Sequence, residues 1–442
     1  MSKSLRYIIS LIILSAVAGG TWAFITYYEG EKPVIALKET FDRVGQQKVV
    51  HATLSDQKSG LRTATVTIAQ DGKTHTLDSI AFPEKGTTHT TMRVDIDCRK
   101  LKLHDGSATF VIKAIDYSLR KNVSEKTITV IVDTSAPQIF HISTHHYINE
   151  GGSCIVLYSI SEDIANTYVY VNDEHFLSYP ITISDKPGYI CYFAIPTDGK
   201  TDSTRIGIAA QDLAGNTSKS TVPIHVRKKR FRGDNMYISK GFLERKMPEF
   251  QQTNSDIVGL SLVESFIFVN ETLRERNLET VQSICSTSHG SRLWDGPFLR
   301  MRNAATMATF GDRRTYYYRN KKISKSIHLG VDLASTKNAP VEASNSGIVV
   351  FSGYLGIYGN TVIIDHGLGL FSFYAHLGTT TVTKGQKVRK GLPIGRSDTS
   401  GLAGGDHLHF GIFVGKRFVN PQEWWDAHWI RDNVERKLNV NF

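Results

Sequence analysis

Short apolar segments separated by turn residues recur along most of this chain, and this pattern limits the folds open to it more than any other feature. In residues 33–227 the segments lie at 61–68, 108–115, 127–132, 154–160, 168–171, 205–210 and 221–226. Runs of this length, rich in β-branched and aromatic residues, are typical of strands. Residues 292–425 repeat the pattern, with glycine-rich turns between the runs. Because strands do not alternate with helices there, antiparallel sheets and a mainly β fold class are predicted.

A weak internal repeat divides the first β-rich region in two. The run Lys113-Ala-Ile-Asp116, followed by a turn and an apolar strand, is echoed by Ala209-Ala-Gln-Asp212. The spacing of about a hundred residues is the size of an immunoglobulin-like sandwich. Two immunoglobulin-like β-sandwich modules are therefore predicted, at 33–134 and 135–227. Between them, Asp133-Thr-Ser-Ala-Pro137 resembles the hinge of bacterial immunoglobulin-like repeats, and its proline stiffens the joint.

The two modules contain no convincing catalytic cluster. His145 and His146 are adjacent, so in a strand their side chains would point to opposite faces and could not share a metal ion. We expect both histidines in a surface loop. A role as spacer, or as a docking surface for a regulatory protein partner, is the natural interpretation of residues 33–227.

Residues 228–290 are predicted to be a basic linker followed by a helix. The run Arg227-Lys-Lys-Arg-Phe-Arg232 is typical of a solvated linker, and contact with an anionic wall or protein is the alternative. Apolar side chains then recur at helical spacing over 255–285, with Asn254 or Ser255 as the cap. This apolar stripe is interpreted as a packing face, or else as a regulatory flap over a functional site.

The N-terminal segment predicts the compartment. Lys3 and Arg6 precede an uncharged run from Tyr7 to Tyr28. As a helix this run would be about 33 Å long, enough for a bilayer core of about 30 Å. Residues 1–28 are therefore expected to be a cytoplasmic N-terminus and a single-pass anchor, with the rest of the chain outside. A signal peptide cleaved near Ala16-Val-Ala18 is the alternative, although it would leave an exposed apolar tail.

Charge and cysteine content narrow the set of partners. The net charge of +10 favours anionic partners such as cell-wall polymer or a membrane surface. No recognisable nucleic-acid motif is present, so nucleic acid is not expected as a partner.

The four cysteines, Cys98, Cys154, Cys191 and Cys285, form no C-x-x-C pair, which argues against a cysteine metal site. Cys154 and Cys191 lie in one module and are either a disulfide or two buried thiols.

Three histidine-bearing stretches in the last third of the chain carry the chemistry. They are His328-Leu-Gly-Val-Asp332, Phe373-Tyr-Ala-His376 and His407-Leu-His409. Histidine and aspartate are ordinary zinc ligands, and hydrolytic zinc sites use three protein ligands and leave a fourth position to water. Alternation along a strand would put His407 and His409 on one face, with Leu408 on the other. Together the stretches supply three zinc ligands and two further imidazoles.

The order of these residues resembles that of the lysostaphin/LytM-type zinc endopeptidases, which cut peptidoglycan peptides. The resemblance extends from about Gly311 to Trp425 and includes the surrounding runs 359–367, 384–391, 394–397 and 404–411. It implies that His328, Asp332 and His409 bind Zn²⁺ and that His376 and His407 act in catalysis. One departure is Gly411, where family members often have a glutamate that is not a metal ligand. His366, in an Asp-His-Gly turn, is expected to be structural.

The resemblance also implies the architecture and the function. We expect residues 291–430 to form an antiparallel β barrel or sandwich that holds zinc in a groove. The chain would then be a membrane-anchored zinc metalloendopeptidase of the bacterial cytoplasmic membrane. Its bulk would lie in the periplasm or outside, where it hydrolyses peptide cross-links of peptidoglycan. The alternative is a non-catalytic scaffold of the same fold that binds the wall or activates an amidase.

We predict that a chain lacking residues 1–28 is soluble and folded, because the long apolar run is confined to that stretch. The truncated and full-length proteins should be compared by sedimentation of membranes after a high-salt wash. The full-length chain should sediment with the membranes and the truncated chain should not. A truncated chain that stays in the washed membrane fraction would contradict the prediction.

Overall fold

The structure is a computed structural model that describes residues 3–143, 146–198 and 203–438. It is mainly β, so the predicted fold class is confirmed. The chain divides into two compact units. The first comprises Met1–Gln138, Glu162–Asn166 and Gln211–Ser218, and the second comprises Ile139–Ser161, Thr167–Ala210 and Lys219–Phe442.

The first unit begins with a long helix and continues as two sheets around one core. The elements are α1 (Lys3–Tyr27), β1 (Val34–Leu37), β2 (Arg43–Val44), β3 (Gln47–Ser55), β4 (Leu61–Gln70), β5 (Lys73–Ala81), β6 (His89–Asp97), α2 (Cys98–Leu101), β7 (Gly106–Asp116) and β8 (Val123–Val132). The strand orders are β1-β3-β6 and β2-β8-β7-β4-β5. Along β4 every second side chain, such as Val66 and Ile68, is buried, as expected of a strand with one face on a core. That these sheets are immunoglobulin-like stays a prediction.

Helix α1 meets the length and composition needed to cross a membrane. Its stretch Tyr7–Ile25 is apolar and is not buried in the protein. A membrane anchor and an N-terminal signal sequence share these properties. The helix is therefore compatible with either of the two predictions made for it.

The predicted internal repeat has a counterpart in one repeated hydrogen-bonding arrangement. Asn122 donates to the Asp116 carboxylate at 2.8 Å, and Asn216 donates to the Asp212 carboxylate at the same distance. Each amide also donates to two backbone carbonyls at the start of its module or just before it, those of Glu29 and Glu31 for Asn122 and those of Asp133 and Ser135 for Asn216. The repeat is thus one of tertiary contacts as well as of sequence.

The predicted second module consists of short strands. They are β9 (Ile139–His141), β10 (His146–Asn149), β11 (Ser153–Ile160), β12 (Ile164–Val171), β13 (Glu174–Leu177), β14 (Tyr179–Ile183), β15 (Lys186–Ala194), β16 (Ile206–Asp212), β17 (Thr217–Thr221) and β18 (Ile224–Arg227). Their orders are β14-β15-β11-β9, β13-β12-β16-β17 and β10-β18. The single strand predicted at 221–226 is two strands, because Pro223, which cannot donate to a ladder, separates β17 from β18.

Two side-chain predictions for this module are resolved. The expected surface loop is wrong for His146, which is buried in β10, where its ring contacts Cys154 and Lys437. Burial behind a neighbouring segment is a tertiary effect that adjacency in sequence does not reveal. His145 lies outside the described residues. All four cysteines are buried free thiols, so of the two alternatives for Cys154 and Cys191 the structure has the thiols.

Helices occupy the segment between this module and the C-terminal sheet. They are α3 (Lys240–Thr253), α4 (Leu262–Phe268) and α5 (Arg274–Ile284), with a 3₁₀ turn at Ser255–Ile257 and a π turn at Val269–Leu273. The helical stretch begins earlier than the predicted caps, at Ser239, whose hydroxyl accepts from the Phe242 N–H. Ser261 and Glu264 form a capping box at the start of α4.

The C-terminal part contains a three-stranded sheet, in which one strand pair is parallel, and a ten-stranded antiparallel sheet. Their strands are β19 (Gly233–Tyr237), β20 (Ala305–Ala308), β21 (Arg313–Tyr318), β22 (Lys321–Ile327), β23 (Val331–Ala334), β24 (Pro340–Glu342), β25 (Gly347–Tyr354), β26 (Asn360–Asp365), β27 (Leu370–Thr380), β28 (Lys387–Val388), β29 (Pro393–Ser397), β30 (Leu408–Val414) and β31 (Arg417–Val419). Helices α6 (Pro421–Trp425), α7 (Ala427–Ile430) and α8 (Arg436–Leu438) follow. The main path of the ten-stranded sheet is β20-β23-β30-β27-β26-β25-β28.

The second module and the C-terminal part share one hydrophobic core. Trp424 is fully buried, lies 6.0 Å from the Tyr192 ring and donates its indole N–H to Ser153 Oγ at 3.0 Å. Beside it, the Glu423 carboxylate accepts from the Ser153 N–H at 3.0 Å and from the Asn149 amide at 3.3 Å. Burial raises the pKa of Glu423 to about 7, although the hydrogen bonds from Ser153 and Asn149 act in the opposite direction.

We predict that Glu423 makes the stability of the protein fall as pH rises from about 4.5 to about 7. Over this pH window the folded state keeps a proton on Glu423 that the unfolded state releases. The stabilisation from this proton is therefore complete below pH 4.5 and is lost as the pH rises to about 7. The loss is on the order of 3 kcal/mol, at about 1.4 kcal/mol for each pKa unit. Glu423→Gln should remove it.

The measurement is the free energy of unfolding in urea at pH 5 and pH 8. The free energy of unfolding of Glu423→Gln relative to that of wild type should be about 2–3 kcal/mol higher at pH 8 than at pH 5. Glu279→Gln, on the exposed side of α5, is the control and should follow wild type at both values. An equal effect of Glu423→Gln at the two pH values would show that the carboxyl does not titrate in this range.

Candidate metal centre

Three neighbouring strands of the C-terminal sheet bring the predicted site residues together. In the register of β23 with β30, Asp332 lies opposite His409, and in that of β27 with β30, Ala375 lies opposite His409. The apolar neighbours Leu333, Leu408 and Phe410 are buried and hold these strands in place. The next residue after Ala375, His376, is thereby placed beside the same cluster.

His328, Asp332 and His409 form a compact group of donor atoms. Asp332 Oδ1 lies 2.9 Å from His328 Nε2 and 2.9 Å from His409 Nδ1. The two ring nitrogens are 3.0 Å apart. Tetrahedral zinc with bonds of 2.0–2.2 Å places its donors about 3.3–3.6 Å apart, only a few tenths of an ångström more. These residues therefore fit a small divalent metal ion bound by two imidazoles and one carboxylate.

Neighbouring groups orient two of the three donors. The backbone carbonyl of Thr309 accepts a hydrogen bond from His328 Nδ1 at 2.9 Å, which leaves the Nε2 lone pair directed at the cluster. Arg314 donates to Asp332 Oδ2 at 3.0 Å, so Oδ1 is the oxygen that faces the two rings. Burial alone would raise the pKa of Asp332, but its interactions with His328, His407 and His409 hold it well below its usual value. The carboxylate is therefore charged, as a metal ligand must be.

Gly330 is required by the close approach of His409. A Cβ atom at this position would lie 2.6 Å from His409 Nε2 and 2.6 Å from the Phe410 carbonyl oxygen. Burial lowers the pKa of His409 to about 4, which keeps this imidazole neutral and able to bind a metal ion.

His376 and His407 lie beside the cluster with their ring centroids 4.9 Å apart. His376 Nδ1 donates to the Ser400 carbonyl at 2.8 Å, and His407 Nδ1 donates to the Gly405 carbonyl at 2.8 Å. The Nε2 atom of each ring is thereby left for chemistry. His407 Nε2 stands 3.5 Å from Asp332 Oδ1, farther than either nitrogen of the compact group. The predicted placement of His407 and His409 on one side is thus what the structure shows.

The environments of these two rings differ. Burial, reinforced by His407 and His409, lowers the pKa of His376 well below its usual value. Burial alone would lower the pKa of His407 as well, but its hydrogen bond and attraction to Asp332 raise it instead. His376 also has a φ of 60°, in the left-handed region. Holding a non-glycine residue there costs energy, and such strained residues are enriched at functional sites.

The cluster lies at the base of a cavity of about 540 Å³. Helices α3 to α5 and strand β19 contribute to its walls, including Phe242, Phe266 and Ile238. Tyr358, which the sequence analysis did not single out, lines it too, with its ring centroid 5.9 Å from that of His409. Arg314 was missed as well, since it is fourteen positions from His328 and no local pattern links the two.

His366 is fully buried between Ser346 and Ser372, so its predicted structural role agrees with the structure.

Comparisons with known proteins concern this same part of the chain. Residues 326–421 match the model of Peptidase family M23, whose members are metallopeptidases. The chain is 39% identical over 95 residues to the DD-carboxypeptidase/endopeptidase Mpg of Neisseria meningitidis serogroup B, a match that covers 22% of each protein. It is 41% identical over 96 residues to the peptidoglycan DD-endopeptidase ShyA of Vibrio cholerae, again 22% of each. It is 34% identical over 95 residues to the murein hydrolase activator EnvC of Escherichia coli, also 22% of each. The chain thus spans about a fifth of the length of these curated relatives.

We predict that Gly330→Ala weakens binding of a divalent metal ion by about 10–100-fold, because the new methyl group displaces His409. The measurement is competition with a zinc-binding dye. Gly353→Ala is the matched control, since its Cβ would make only ordinary contacts of 3.5 Å or more. Unchanged metal affinity in Gly330→Ala would show that His409 is not a ligand or that its ring moves freely.

Proposed function

Residues 326–421 form a peptidase family M23 domain, and we propose that this chain is a zinc endopeptidase that hydrolyses peptide bonds of peptidoglycan. The observation that carries the proposal is the convergence of two imidazoles and a carboxylate within 3.0 Å, beside two further histidines in one cavity. His328, Asp332 and His409 are the proposed metal ligands, and His376 and His407 the proposed catalytic residues. The named activities of Mpg and ShyA support peptidoglycan as the substrate.

The metal ion would be held by His328 Nε2, Asp332 Oδ1 and His409 Nδ1. Zinc bound there supplies a Lewis acid that polarises the scissile carbonyl and acidifies water. A donor set of two neutral imidazoles and one carboxylate suits Zn²⁺, and three protein ligands leave one position open. The proton transfers of the proposed hydrolysis depend on His376 and His407, which lie outside the ligand set.

His376 and His407 suit opposite halves of the proton transfer. The lowered pKa of His376 keeps its imidazole neutral, with Nε2 available to take a proton from the attacking water. His407 Nε2 lies 3.5 Å from Asp332 Oδ1, and from this position the ring would carry a proton to the leaving amine, or stabilise the developing oxyanion.

The proposed place of action is the outer side of the bacterial cytoplasmic membrane. Helix α1 would anchor the chain there, and the peptidase domain would reach the wall from the periplasmic side. The positive net charge favours contact with an anionic polymer. A regulatory protein bound through residues 33–227 stays part of the proposal.

The alternative is a non-catalytic scaffold, which the match to the activator EnvC brings into consideration. A scaffold needs neither a complete ligand set nor two additional imidazoles. All five predicted residues are present in this chain, and all five line one cavity. This completeness favours the enzyme.

We predict that His409→Ala loses zinc and activity, whereas His407→Ala keeps zinc and loses most turnover. Four protein ligands would close the site and leave no position for water, so one histidine must stand outside the ligand set. Loss of a positioned acid–base group costs about 10²–10⁴ in rate. His328→Ala and Asp332→Ala should behave like His409→Ala, since either change leaves too few ligands.

The measurements are zinc content by atomic emission and release of soluble peptides from purified peptidoglycan, made on the full-length protein in detergent. His366→Ala would disturb the fold, so Gly353→Ala serves as the control with normal zinc and activity. Equal zinc loss in His407→Ala and His409→Ala would indicate a closed site. Wall hydrolysis that persists without zinc would overturn the proposal.

A further inference from the structure

We propose that Arg274 is a specificity-determining residue that binds a carboxylate group of the peptide substrate in the cavity above the metal centre. The inference rests on the proposed function and adds the chemical class of the substrate, a peptide with a free carboxylate close to the scissile bond. It starts from the position of Arg274 on the cavity wall.

Arg274 is held in one orientation by a buried asparagine. Its Nε donates to the Asn270 carbonyl oxygen at 3.0 Å, and its Nη2 donates to Asn270 Oδ1 at 2.7 Å. Asn270 is 1% exposed and is itself fixed by a hydrogen bond to Ser324 Oγ at 2.7 Å. The arginine therefore loses little freedom when it binds a ligand, which favours affinity.

The backbone that carries this pair is unusual. Asn270 lies in the π turn at Val269–Leu273, and Arg274 follows directly. A π turn is a rare interruption of an α-helix and is frequent at functional sites. Here the turn joins α4 to α5 and presents the asparagine to β22 and the arginine to the cavity.

The charge of Arg274 has no acidic partner within the described residues. The two side-chain hydrogen bonds that Arg274 donates both go to neutral oxygens of Asn270. By contrast, Arg276 on the same helix pairs with Asp256 at 2.7 Å, and Arg314 pairs with Asp332 at 3.0 Å. A half-buried guanidinium normally finds an anion, and its planar fork matches a carboxylate in particular.

Arg274 and Tyr358 both line the cavity that contains the metal centre. The Tyr358 ring is in turn 5.9 Å from that of His409. A peptide whose carbonyl reaches the metal centre would therefore bring its neighbouring groups within reach of Arg274. Arg245 lines the same cavity and adds to its positive character.

The test uses two synthetic peptide pairs and the zinc-loaded full-length protein in detergent. In each pair one cross-linked stem peptide keeps its free carboxylates and the other has them converted to carboxamides. One pair has a reduced, non-hydrolysable bond in place of the scissile amide and is used for binding by calorimetry. The other pair has the natural bond and is used for hydrolysis.

We expect wild type to bind the free-carboxylate analogue about 10–100-fold more tightly than the amidated one, as a charge-assisted hydrogen-bonded pair allows. Arg274→Gln should reduce this ratio to near one by weakening only the free-carboxylate analogue, with zinc content unchanged. Arg274→Lys should keep part of the ratio, because it retains the charge and loses the fork. Arg276→Gln is the matched control and should keep the whole ratio.

Two results would overturn the inference: equal affinities of wild type for the two analogues, or a ratio that persists in Arg274→Gln. The proposed function fails separately. If wild type discriminates between the analogues yet cleaves neither natural peptide, the carboxylate site stands and the endopeptidase proposal falls. If it cleaves both natural peptides without discriminating between the analogues, the endopeptidase stands and the carboxylate site falls.

Discussion

The pairing of β23 with β30 places Asp332 opposite His409, and the arrangement of the metal centre depends on this register. A shift of one residue would turn every side chain of one strand to the other face of the sheet. The register is fixed by the buried apolar residues that alternate with the ligands, among them Leu333 and Leu408. The same residues that build the core therefore aim the donor atoms. His328 completes the group from the loop before β23, where the Thr309 carbonyl orients its ring.

The remaining two histidines show how one small cluster supports two kinds of chemistry. His376 and His407 are both largely buried, yet their pKa values are shifted in opposite directions. The difference arises because Asp332 contacts His407, whereas His376 faces the two other rings. A single carboxylate thus serves as a proposed metal ligand and also contacts a proposed catalytic histidine. Arg314 forms an ion pair with the second oxygen of this carboxylate, Asp332 Oδ2.

The predicted second module is joined to the C-terminal part through a buried and partly polar contact. Trp424 and Glu423 reach Ser153 from α6, and Arg417 pairs with Glu174. Because one hydrophobic core includes both parts, the metal centre is supported by residues far from it in sequence. The helices between them, which the sequence analysis interpreted as a packing face or a flap, do pack against this core and also form walls of the cavity.

The amino-acid sequence by itself determined the mainly β fold class, the apolar N-terminal helix and the five residues of the candidate site. These features are written in local periodicity and in an ordered set of motifs, which need no knowledge of distant contacts. Only the tertiary structure decided which groups surround the site. Arg274, Arg314 and Tyr358 carry no local signal, because the packing of separate elements brings them to the cavity that contains His409 and Asp332. The burial of His146 and the raised pKa of Glu423 have the same origin, since desolvation depends on which distant segments cover a side chain.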